Sequence, residues 1–296
     1  MVDEDQATIS VFDSGFVLGD GVWEGLRVAS GQPAFLEPHL DRLYATAKAI
    51  MLDVGLSRDQ LSQAIEQTIA ANQLIDDAHL RVMVTRGVRR QPYQDPRLAL
   101  GSATVVIVPA LSPHDPAAAA RGLDLFTVHV RRGPPDVQDQ KINSHSKFNC
   151  IMACIQANQA GADEALMLDP RGFVATCNST HFFIVRSGEV WTSAGGYCLG
   201  GITRANVLAL CRDHGIPGLE KDFSLTDVYG AEECFVTGTL GGITPVRQVD
   251  GRRFEGAVPG PVTARLQGLY SDLIRADVAS RDQGPARVSD TSGPGR

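Results

Sequence analysis

The sequence predicts a mixed α/β protein of two domains, and three observations lead to this fold class. The chain has 296 residues, and a soluble domain typically holds about 150 residues. Stretches rich in β-branched residues are interspersed with stretches whose apolar residues recur at helical spacing. Regular strand–helix–strand repetition is missing, and neither G-x-G-x-x-G nor G-x-x-x-x-G-K-[ST] occurs. We therefore expect a smaller N-terminal and a larger C-terminal α/β domain, without a Rossmann fold or a P-loop.

The N-terminal domain is expected to cover residues 1–110 and to contain both kinds of element. Strand-like composition comes first, and the apolar residues take up helical spacing after Pro38. Ser57 is placed to cap a second helix, after which strand-like composition returns. The predicted strands are 7–17, 22–29, 79–85 and 103–108, and the predicted helices run from 38 to 51 and from 58 to 73.

Residues 111–122 contain two prolines and an alanine run, and we predict that they link the two domains. The C-terminal domain is expected to cover residues 123–276. Residues 277–296 are polar and rich in small residues, so we expect a disordered tail. In the C-terminal domain the predicted strands are 123–130, 165–169, 173–174, 182–185 and 233–238, and the predicted helices are 149–159, 203–214 and 261–274.

Composition excludes several classes of function. The net charge is −7 and the isoelectric point is about 5.5, so no basic surface is expected to bind nucleic acid. No apolar run approaches the ~20 residues of a membrane span, and the acidic N-terminus is unlike a signal peptide. The six cysteines form no C-x-x-C pair. This pattern is typical of reduced thiols in the cytoplasm and gives no reason to expect a metal site.

Lysine is rare in this chain, which narrows the search for chemistry that needs a primary amine. The four lysines are Lys48, Lys141, Lys147 and Lys221. A Schiff-base lysine must be partly desolvated so that its neutral amine is available. Lys48 lies on an amphipathic helix and Lys221 in a polar turn, so we expect both to be solvated. Lys141 and Lys147, which precede the helix at 149–159, remain as candidates.

Three segments combine a turn with groups that bind anions: residues 199–204, 237–246 and 37–43. In the first, two glycines precede Thr203 at the start of a helix, whose first amides are free. The second offers hydroxyls and unhindered amides in a glycine-rich turn. In the third, the guanidinium of Arg42 could clamp a phosphate. Taken singly, each is also compatible with an ordinary capped helix, a hairpin loop or a solvated arginine.

Five motifs together resemble the class IV aminotransferases, the fold-type IV enzymes that use pyridoxal 5′-phosphate. This family includes branched-chain and D-amino-acid aminotransferases and aminodeoxychorismate lyase. The resemblance extends from about residue 9 to residue 270, and its motifs occur in the family's order. They are GDGVWEGLRV at 19–28, EPHLDRL at 37–43, ADEALMLD at 162–169, LGGITR at 199–204 and TGTLGGITPV at 237–246.

The resemblance implies a role for several residues. One set would hold the phosphate of the cofactor, namely Arg42, Ile202, Thr203 and Thr239. Backbone amides of Leu240 and Gly241 would meet the substrate carboxylate, and Trp23 would line the substrate pocket. For carboxylate recognition we also consider Arg89, with its neighbours Arg86 and Arg90, because a guanidinium binds a carboxylate bidentately; a solvated loop is the alternative.

The resemblance also implies one lysine that binds the cofactor as a Schiff base. In the family this lysine precedes the helix by several residues, and counting back from Asp169 favours Lys141. Lys147 would lie within the first helical turn, close to the following strand. We therefore predict that Lys141 is the catalytic and cofactor-binding lysine, with Lys147 as the alternative.

One departure from the family pattern affects the expected chemistry. A glutamate usually lies near the pyridine nitrogen, and the corresponding position here is Thr176. A neutral hydroxyl cannot supply the negative charge that keeps the ring nitrogen protonated, so the electron sink should be weaker. His181 stands where an asparagine is usual, which indicates that this turn has been rebuilt.

These observations lead to the prediction of an aminotransferase that moves an amino group between an amino acid and a 2-oxo acid. The indole of Trp23 favours a hydrophobic or branched-chain side chain, with Phe35 or Tyr93 as weaker contributors. The alternatives are a D-amino-acid aminotransferase, a lyase like aminodeoxychorismate lyase, or a protein that kept the fold and lost the activity. The resemblance further implies a homodimer with the active site near the subunit boundary.

Overall fold

Two β-sheets organise the chain in the computed structural model, which describes residues 1–111 and 121–282. Strands before residue 112 form a four-stranded sheet, and strands after residue 120 form a nine-stranded sheet. The predicted linker at 111–122 lies almost wholly outside the described residues. The domain limits drawn from it therefore stay a prediction.

The four-stranded sheet is antiparallel, in the order β2-β1-β3-β4, and is covered by helices. Along β1 every second side chain, including Val22 and Leu26, is buried in the apolar core between sheet and helices. The intervening side chains point to the opposite face, which brings Trp23 toward the second sheet. The elements are α1 Ser14–Leu18, β1 Gly21–Ala29, β2 Gln32–Pro33, α2 Leu36–Ala49, α3 Arg58–Ala71, β3 Ala78–Thr85 and β4 Thr104–Leu111, with short 3-10 turns at Glu4–Gln6 and Pro96–Leu98.

The nine-stranded sheet is mixed, in the order β10-β9-β8-β11-β12-β5-β6-β7, with β13 beside β12. Strand β5 is parallel to β12 and β6, while β8 and β11 are antiparallel. The elements are β5 Leu123–Thr127, α4 Pro135–Gln138, α5 Phe148–Gln159, β6 Glu164–Leu168, β7 Val174–Cys177, β8 His181–Arg186, β9 Glu189–Thr192, α6 Ile202–Asp213, β10 Gly218–Glu220, α7 Leu225–Tyr229, β11 Glu233–Gly238, β12 Gly242–Val249, β13 Arg252–Arg253 and α8 Pro261–Asp282.

Two strands at one side of the larger sheet, β6 and β7, are buried on both faces. All five residues of β6 and all four of β7 are buried, so these strands have continuous apolar runs and no alternation. Helices α6 and α8 pack on one side, where Phe183 and Phe235 stack at a ring separation of 4.8 Å. This rigid sheet is the support for the loops that precede α5 and α6.

The two sheets are joined by contacts on two sides. Near the C-terminal end of α8, the carboxylate of Asp277 accepts from the amide of Phe35 at 2.7 Å. On the other side, the segment 143–145 runs antiparallel to the start of β1: the amide of Trp23 donates to the carbonyl of Asn143 at 3.0 Å. The two sheets therefore meet along a cleft whose walls include β1, the 143–147 segment and the start of α6.

Two predictions of local structure are wrong. Residues 7–17 do not form a strand: Asp13 caps α1 by accepting from the amide of Gly15 at 2.8 Å, and Phe16 is exposed. The predicted disordered tail begins too early, because α8 continues to Asp282. Burial of Val278 and the bond to Asp277 stabilise that extension. Residues 283–296 lie outside the described part of the chain.

The remaining predicted elements agree with the structure to within a few residues. Strand β11 has the predicted limits. Ser57 caps α3 as expected and forms a capping box with Gln60. Among the described residues, none of the helices combines the length and the apolar character needed to cross a membrane.

Candidate active site

Arg42 is held in place by a buried carboxylate. Its Nε and Nη2 donate to Glu24 at 2.8 and 2.6 Å, and Nδ1 of His39 lies 2.7 Å from the same carboxylate. Burial alone would raise the pKa of Glu24, but the bonds and charges of Arg42 and His39 lower it below its ordinary value. Burial lowers the pKa of His39. The carboxylate therefore stays ionised and fixes the plane of the guanidinium.

The start of α6 lies directly against this arginine. Nη1 of Arg42 donates to the carbonyl of Gly200 at 2.7 Å, and no side chain caps the helix at Gly201. Ile202, Thr203 and Thr239 line one crevice here. The structure thus brings the three predicted anion-binding segments together, around the free amides of the first turn of α6.

His181 lies beneath the turn that precedes α6. Its Nε2 donates to the carbonyl of Leu199 at 2.7 Å, and burial, helped by the neighbouring arginines, lowers its pKa to about 4. The ring is therefore neutral at physiological pH. A Cβ atom on Gly201 would lie 2.3 Å from Cε1 of His181, so this close approach requires glycine at position 201.

Lys147, immediately before α5, has its amine inside the cleft. Nζ donates to Oδ1 of Asn143 at 3.1 Å and lies 5.3 Å from the ring centroid of Trp23. Burial lowers the pKa of Lys147 to about 8; the cations Arg132, Arg42 and Arg81 act in the same direction, and Cys150 acts against it. A substantial share of this amine is therefore neutral near pH 8.

The other three lysines lie outside the cleft. The side chain of Lys141 is exposed on the preceding loop, where its backbone amide donates to Asp139 at 2.9 Å. Lys48 is also exposed, and Nζ of Lys221 lies over the ring of Trp191 at 3.7 Å. The geometry therefore favours Lys147 over Lys141, against the choice made from the sequence. Lys147 is the N-cap of α5, close to the first-turn position for which the residue count from Asp169 disfavoured it.

Trp23 has a fixed orientation in the cleft. Its indole Nε1 donates to the carbonyl of Ser144 at 3.1 Å, and the guanidinium of Arg81 lies 4.1 Å from the ring centroid. No sequence motif points to Arg81. The register of β1 with β3 pairs Gly25 with Arg81, which makes Trp23 and Arg81 diagonal neighbours on one face. A correct pairing of the two strands would have revealed it.

Arg132 is a second functional candidate that the sequence analysis missed. It is buried, with 7% of its surface exposed. Nη1 donates to the sulfur of Cys150 at 3.0 Å and Nε to the carbonyl of Tyr197 at 3.3 Å. In the described residues no carboxylate lies within ion-pair distance of it. A buried cation without an acidic partner is a candidate for binding an anionic ligand.

Thr176 is buried on β7, and its hydroxyl donates to the carbonyl of Thr180 at 2.8 Å. Glu164 lies behind the same turn, where it accepts from both Ser179 and Thr180. Burial raises the pKa of Glu164 despite these hydrogen bonds. Both oxygens of this carboxylate are thus engaged by the turn, and Thr176 itself contributes no charge.

The arginine-rich loop does not reach the cleft. Arg89 is buried and donates to the carbonyls of Tyr93 and Asp95. Arg86 donates to Asp20 at 2.7 Å and to two backbone carbonyls, and Arg90 is exposed. In this structure Arg89 therefore supports its own loop, and the substrate role expected for it has no geometric basis here. By contrast, Leu240 and Gly241 do lie in the turn after Thr239, where they are exposed.

Comparisons with known proteins identify the family to which the chain belongs. The profile of the family "Amino-transferase class IV" matches residues 21–249. Branched-chain-amino-acid aminotransferase-like protein 2 of Arabidopsis thaliana is 38% identical over 92% of this chain and 49% of its own length; the chain thus spans about half of that relative. Branched-chain-amino-acid aminotransferase of Pseudomonas aeruginosa is 34% identical over 90% of this chain and 88% of its own length.

Two further similar proteins are a D-alanine aminotransferase and a branched-chain aminotransferase of known structure. D-alanine aminotransferase of Listeria monocytogenes is 32% identical over 93% of both chains. The crystal structure of a T.th. branched-chain amino acid aminotransferase with pyridoxamine 5′-phosphate superposes with a TM-score of 0.86 at 28% identity, covering 93% of this chain and 92% of that one.

The residues of the cleft fit pyridoxal 5′-phosphate. A phosphate requires donors and positive charge, which Arg42, the free amides of α6 and the hydroxyls of Thr203 and Thr239 could supply. The aldehyde requires a lysine amine, which Lys147 could supply from a desolvated position. The chain therefore belongs to the class IV aminotransferases and is a pyridoxal 5′-phosphate-dependent enzyme of that family.

Proposed function

We propose that the chain transfers the amino group of a hydrophobic amino acid to a 2-oxo acid, with branched-chain amino acids as the leading substrate class. We assign the catalytic amine to Lys147 in place of Lys141. The observation that carries this proposal is the position of Nζ of Lys147, buried beside the ring of Trp23 and surrounded by arginines.

In this proposal each residue of the cleft has a defined task. Arg42, Ile202, Thr203 and Thr239 hold the cofactor phosphate, and Glu24 keeps Arg42 in position. When bound, pyridoxal 5′-phosphate supplies the electron sink that makes the substrate α-carbon acidic. The neutral amine of Lys147 would then accept the proton from the substrate α-carbon and donate it to C4′ of the cofactor.

Thr176 sets a limit on the rate. Its hydroxyl proton is directed to the carbonyl of Thr180, and a threonine cannot stabilise a positive charge on the ring nitrogen as a carboxylate would. We therefore propose transamination with a weaker electron sink than in relatives that carry a glutamate at this position. The same observation favours the second candidate, pyridoxal 5′-phosphate chemistry other than transamination.

The substrate class follows from the walls of the cleft. The indole of Trp23 offers an apolar surface, while Arg81 and Arg132 are cations without a carboxylate partner among the described residues. We propose that the substrate carboxylate is recognised by these cations together with the exposed amides of Leu240 and Gly241. The relatives include branched-chain and D-alanine aminotransferases, so both stereochemical series belong in the test.

We also propose that the enzyme is a homodimer. Helix α5 starts one residue after Lys147 and exposes Phe148, Ile151 and Ile155, with 71%, 52% and 43% of their surfaces accessible. These positions lie on one helical face, and a second copy of the chain is the partner that the family resemblance implies. A cytoplasmic location agrees with the six free thiols of the chain.

The lysine assignment is tested by loading the enzyme with pyridoxal 5′-phosphate, reducing it with borohydride and digesting it with trypsin. The reduced lysine resists trypsin, so attachment at Lys147 yields a labelled peptide 142–171 and attachment at Lys141 a labelled peptide 133–147. We expect label only in 142–171. Lys147→Ala should abolish the label and the visible absorption, while the matched control Lys141→Ala should retain both. Label in peptide 133–147 would overturn the assignment.

The substrate class is tested by offering L-leucine, D-alanine and aminodeoxychorismate separately to the loaded enzyme with a 2-oxo acid. We expect the 2-oxo acid derived from L-leucine to form fastest. Formation of pyruvate from D-alanine at a higher rate would identify a D-amino-acid aminotransferase. Release of pyruvate and an aromatic amine from aminodeoxychorismate, with no consumption of the added 2-oxo acid, would identify a lyase.

A further inference from the structure

We propose that Asn143 is a positioning residue for the amine of Lys147. Its side-chain amide fixes Nζ relative to β1, so that the remaining hydrogens and the lone pair of the amine point into the cleft. This inference rests on the assignment of the catalytic amine to Lys147. It adds a residue to which neither the family resemblance nor the motifs give a role.

Asn143 forms hydrogen bonds both to Trp23 on β1 and to Lys147 at the start of α5. Its Nδ2 donates to the carbonyl of Trp23 at 2.6 Å, and its own carbonyl accepts from the amide of Trp23 at 3.0 Å. Its Oδ1 accepts from Nζ of Lys147 at 3.1 Å. Only 3% of Asn143 is exposed, so water cannot replace these bonds at low cost.

The chemistry of the amide makes its orientation unambiguous. The carbonyl of Trp23 can only accept, so it must face the NH₂ group of Asn143, and the oxygen must face Lys147. A carboxamide oxygen accepts a hydrogen bond from a lysine in either protonation state. Asn143 therefore directs the amine without adding a charge, and it leaves the nitrogen lone pair of the neutral amine free for the substrate proton.

The absence of charge matters because the surroundings of the amine are cationic. Arg132, Arg42 and Arg81 lower the pKa of Lys147 in addition to burial, and Cys150 is the group that acts in the opposite direction. An aspartate at position 143 would bring a full negative charge to about 3 Å from Nζ. Such a charge favours the ammonium form, which cannot act as a base.

The first experiment measures the amine directly. The four lysines of the full chain are reductively methylated with ¹³C-formaldehyde before cofactor is added, and each signal is titrated by NMR, with Lys147→Arg identifying the signal of Lys147. We expect a pKa near 8 for the wild type. In Asn143→Asp the pKa should rise by about 1 to 3, whereas Asn72→Asp, at the end of α3, should leave it unchanged.

The second experiment uses the loaded enzyme. Asn143→Ala removes the acceptor and the bridge to Trp23, and we expect kcat to fall about 100-fold while KM for the amino acid changes less than threefold. In Asn143→Asp the acid limb of the kcat profile should move to higher pH, in step with the NMR titration. A merely structural role would lower thermal stability without moving either pKa.

The outcomes separate the two proposals. Unchanged pKa values in Asn143→Asp, with peptide 142–171 still labelled, would overturn the role of Asn143 and leave Lys147 as the catalytic amine. Label in peptide 133–147 would overturn the assignment of Lys147 itself. A kcat loss in Asn143→Ala that is matched by an equal rise in KM would also contradict a positioning role.

Discussion

Glu24 shows how a single buried side chain prepares an anion site. With 2% of its surface exposed, it would be costly to bury without partners, and it has two: Arg42 through two nitrogens and His39 through one. The bidentate contact holds the guanidinium in one plane, leaving part of its donor set for the carbonyl of Gly200 and for a ligand. Arg42 would therefore already be oriented before a phosphate binds.

Glu24→Gln should weaken cofactor binding and stability together. An amide can accept from Arg42 on one atom only, so the guanidinium loses its fixed plane and its counter-charge. We expect the Kd of pyridoxal 5′-phosphate, measured by absorbance titration, to rise about 10-fold, roughly 1.4 kcal/mol. The control is Glu37→Gln, an exposed partner of Arg58, which should leave Kd unchanged. Equal affinities for wild type and Glu24→Gln would contradict the positioning of Arg42 by Glu24.

The ion pair between Glu24 and Arg42 also makes the free energy of unfolding depend on pH. The pKa of Glu24 is lower in the folded chain than its ordinary value, so its stabilising effect is present above the ordinary pKa and is lost as the pH falls through the folded value. Glu24→Gln should therefore lower the free energy of unfolding near pH 7 and reduce its loss on acidification. The shallower acid profile distinguishes loss of this ion pair from simple loss of packing.

At the scale of the element, the start of α6 depends on a close contact with β8. Position 201 has an ordinary backbone conformation, with φ of −70°, so conformational freedom is not the reason for glycine there. The reason is the neutral ring of His181, which occupies the space of a Cβ atom and holds the carbonyl of Leu199. The free amides of α6 are positioned through that contact.

Gly201→Ala should displace the first turn of α6 and therefore the proposed phosphate site. Overpacking of this kind costs about 1–3 kcal/mol, which corresponds to a fall in Tm of roughly 2–10 °C for a chain of this size. We expect the affinity for pyridoxal 5′-phosphate to fall as well. The adjacent control is Gly200→Ala, where a Cβ atom would meet nothing within 4 Å. Equal Tm and affinity for the two variants would show that the contact with His181 has no such role.

At the scale of the whole molecule, the sequence predicts elements better than it predicts the cleft. Strand β11 and the capped helix α3 follow from local signals, namely a short strand-like run that ends in a glycine-rich turn and an N-cap serine. The three segments that meet at the start of α6 were also singled out, because glycine and hydroxyl residues at a helix start are a local signal for anion binding. The choice between Lys141 and Lys147 could not be made locally, since it depends on which amine is desolvated when the 143–147 segment packs against β1.

Arg81 and Arg132 were missed for a related reason. An arginine becomes informative only when its counter-ions are known, and those depend on strand register and on contacts between distant segments. The arginine-rich loop illustrates the converse. Its residues looked available in the sequence, but Asp20 and the carbonyls of the loop itself occupy Arg86 and Arg89.

The exposed apolar face of α5 is the proposed dimer interface, and it lies next to the candidate active site. Phe148, Ile151 and Ile155 form an apolar stripe that is unusual for a solvated helix, and it begins beside Lys147. We expect Ile151→Glu to convert the proposed dimer to a monomer in sedimentation velocity, because burying an unpaired carboxylate at the centre of an interface is costly. Ile75→Glu, an exposed apolar site on the smaller domain, should stay dimeric. A dimeric Ile151→Glu variant would place the interface elsewhere, and a monomeric wild type would overturn the homodimer.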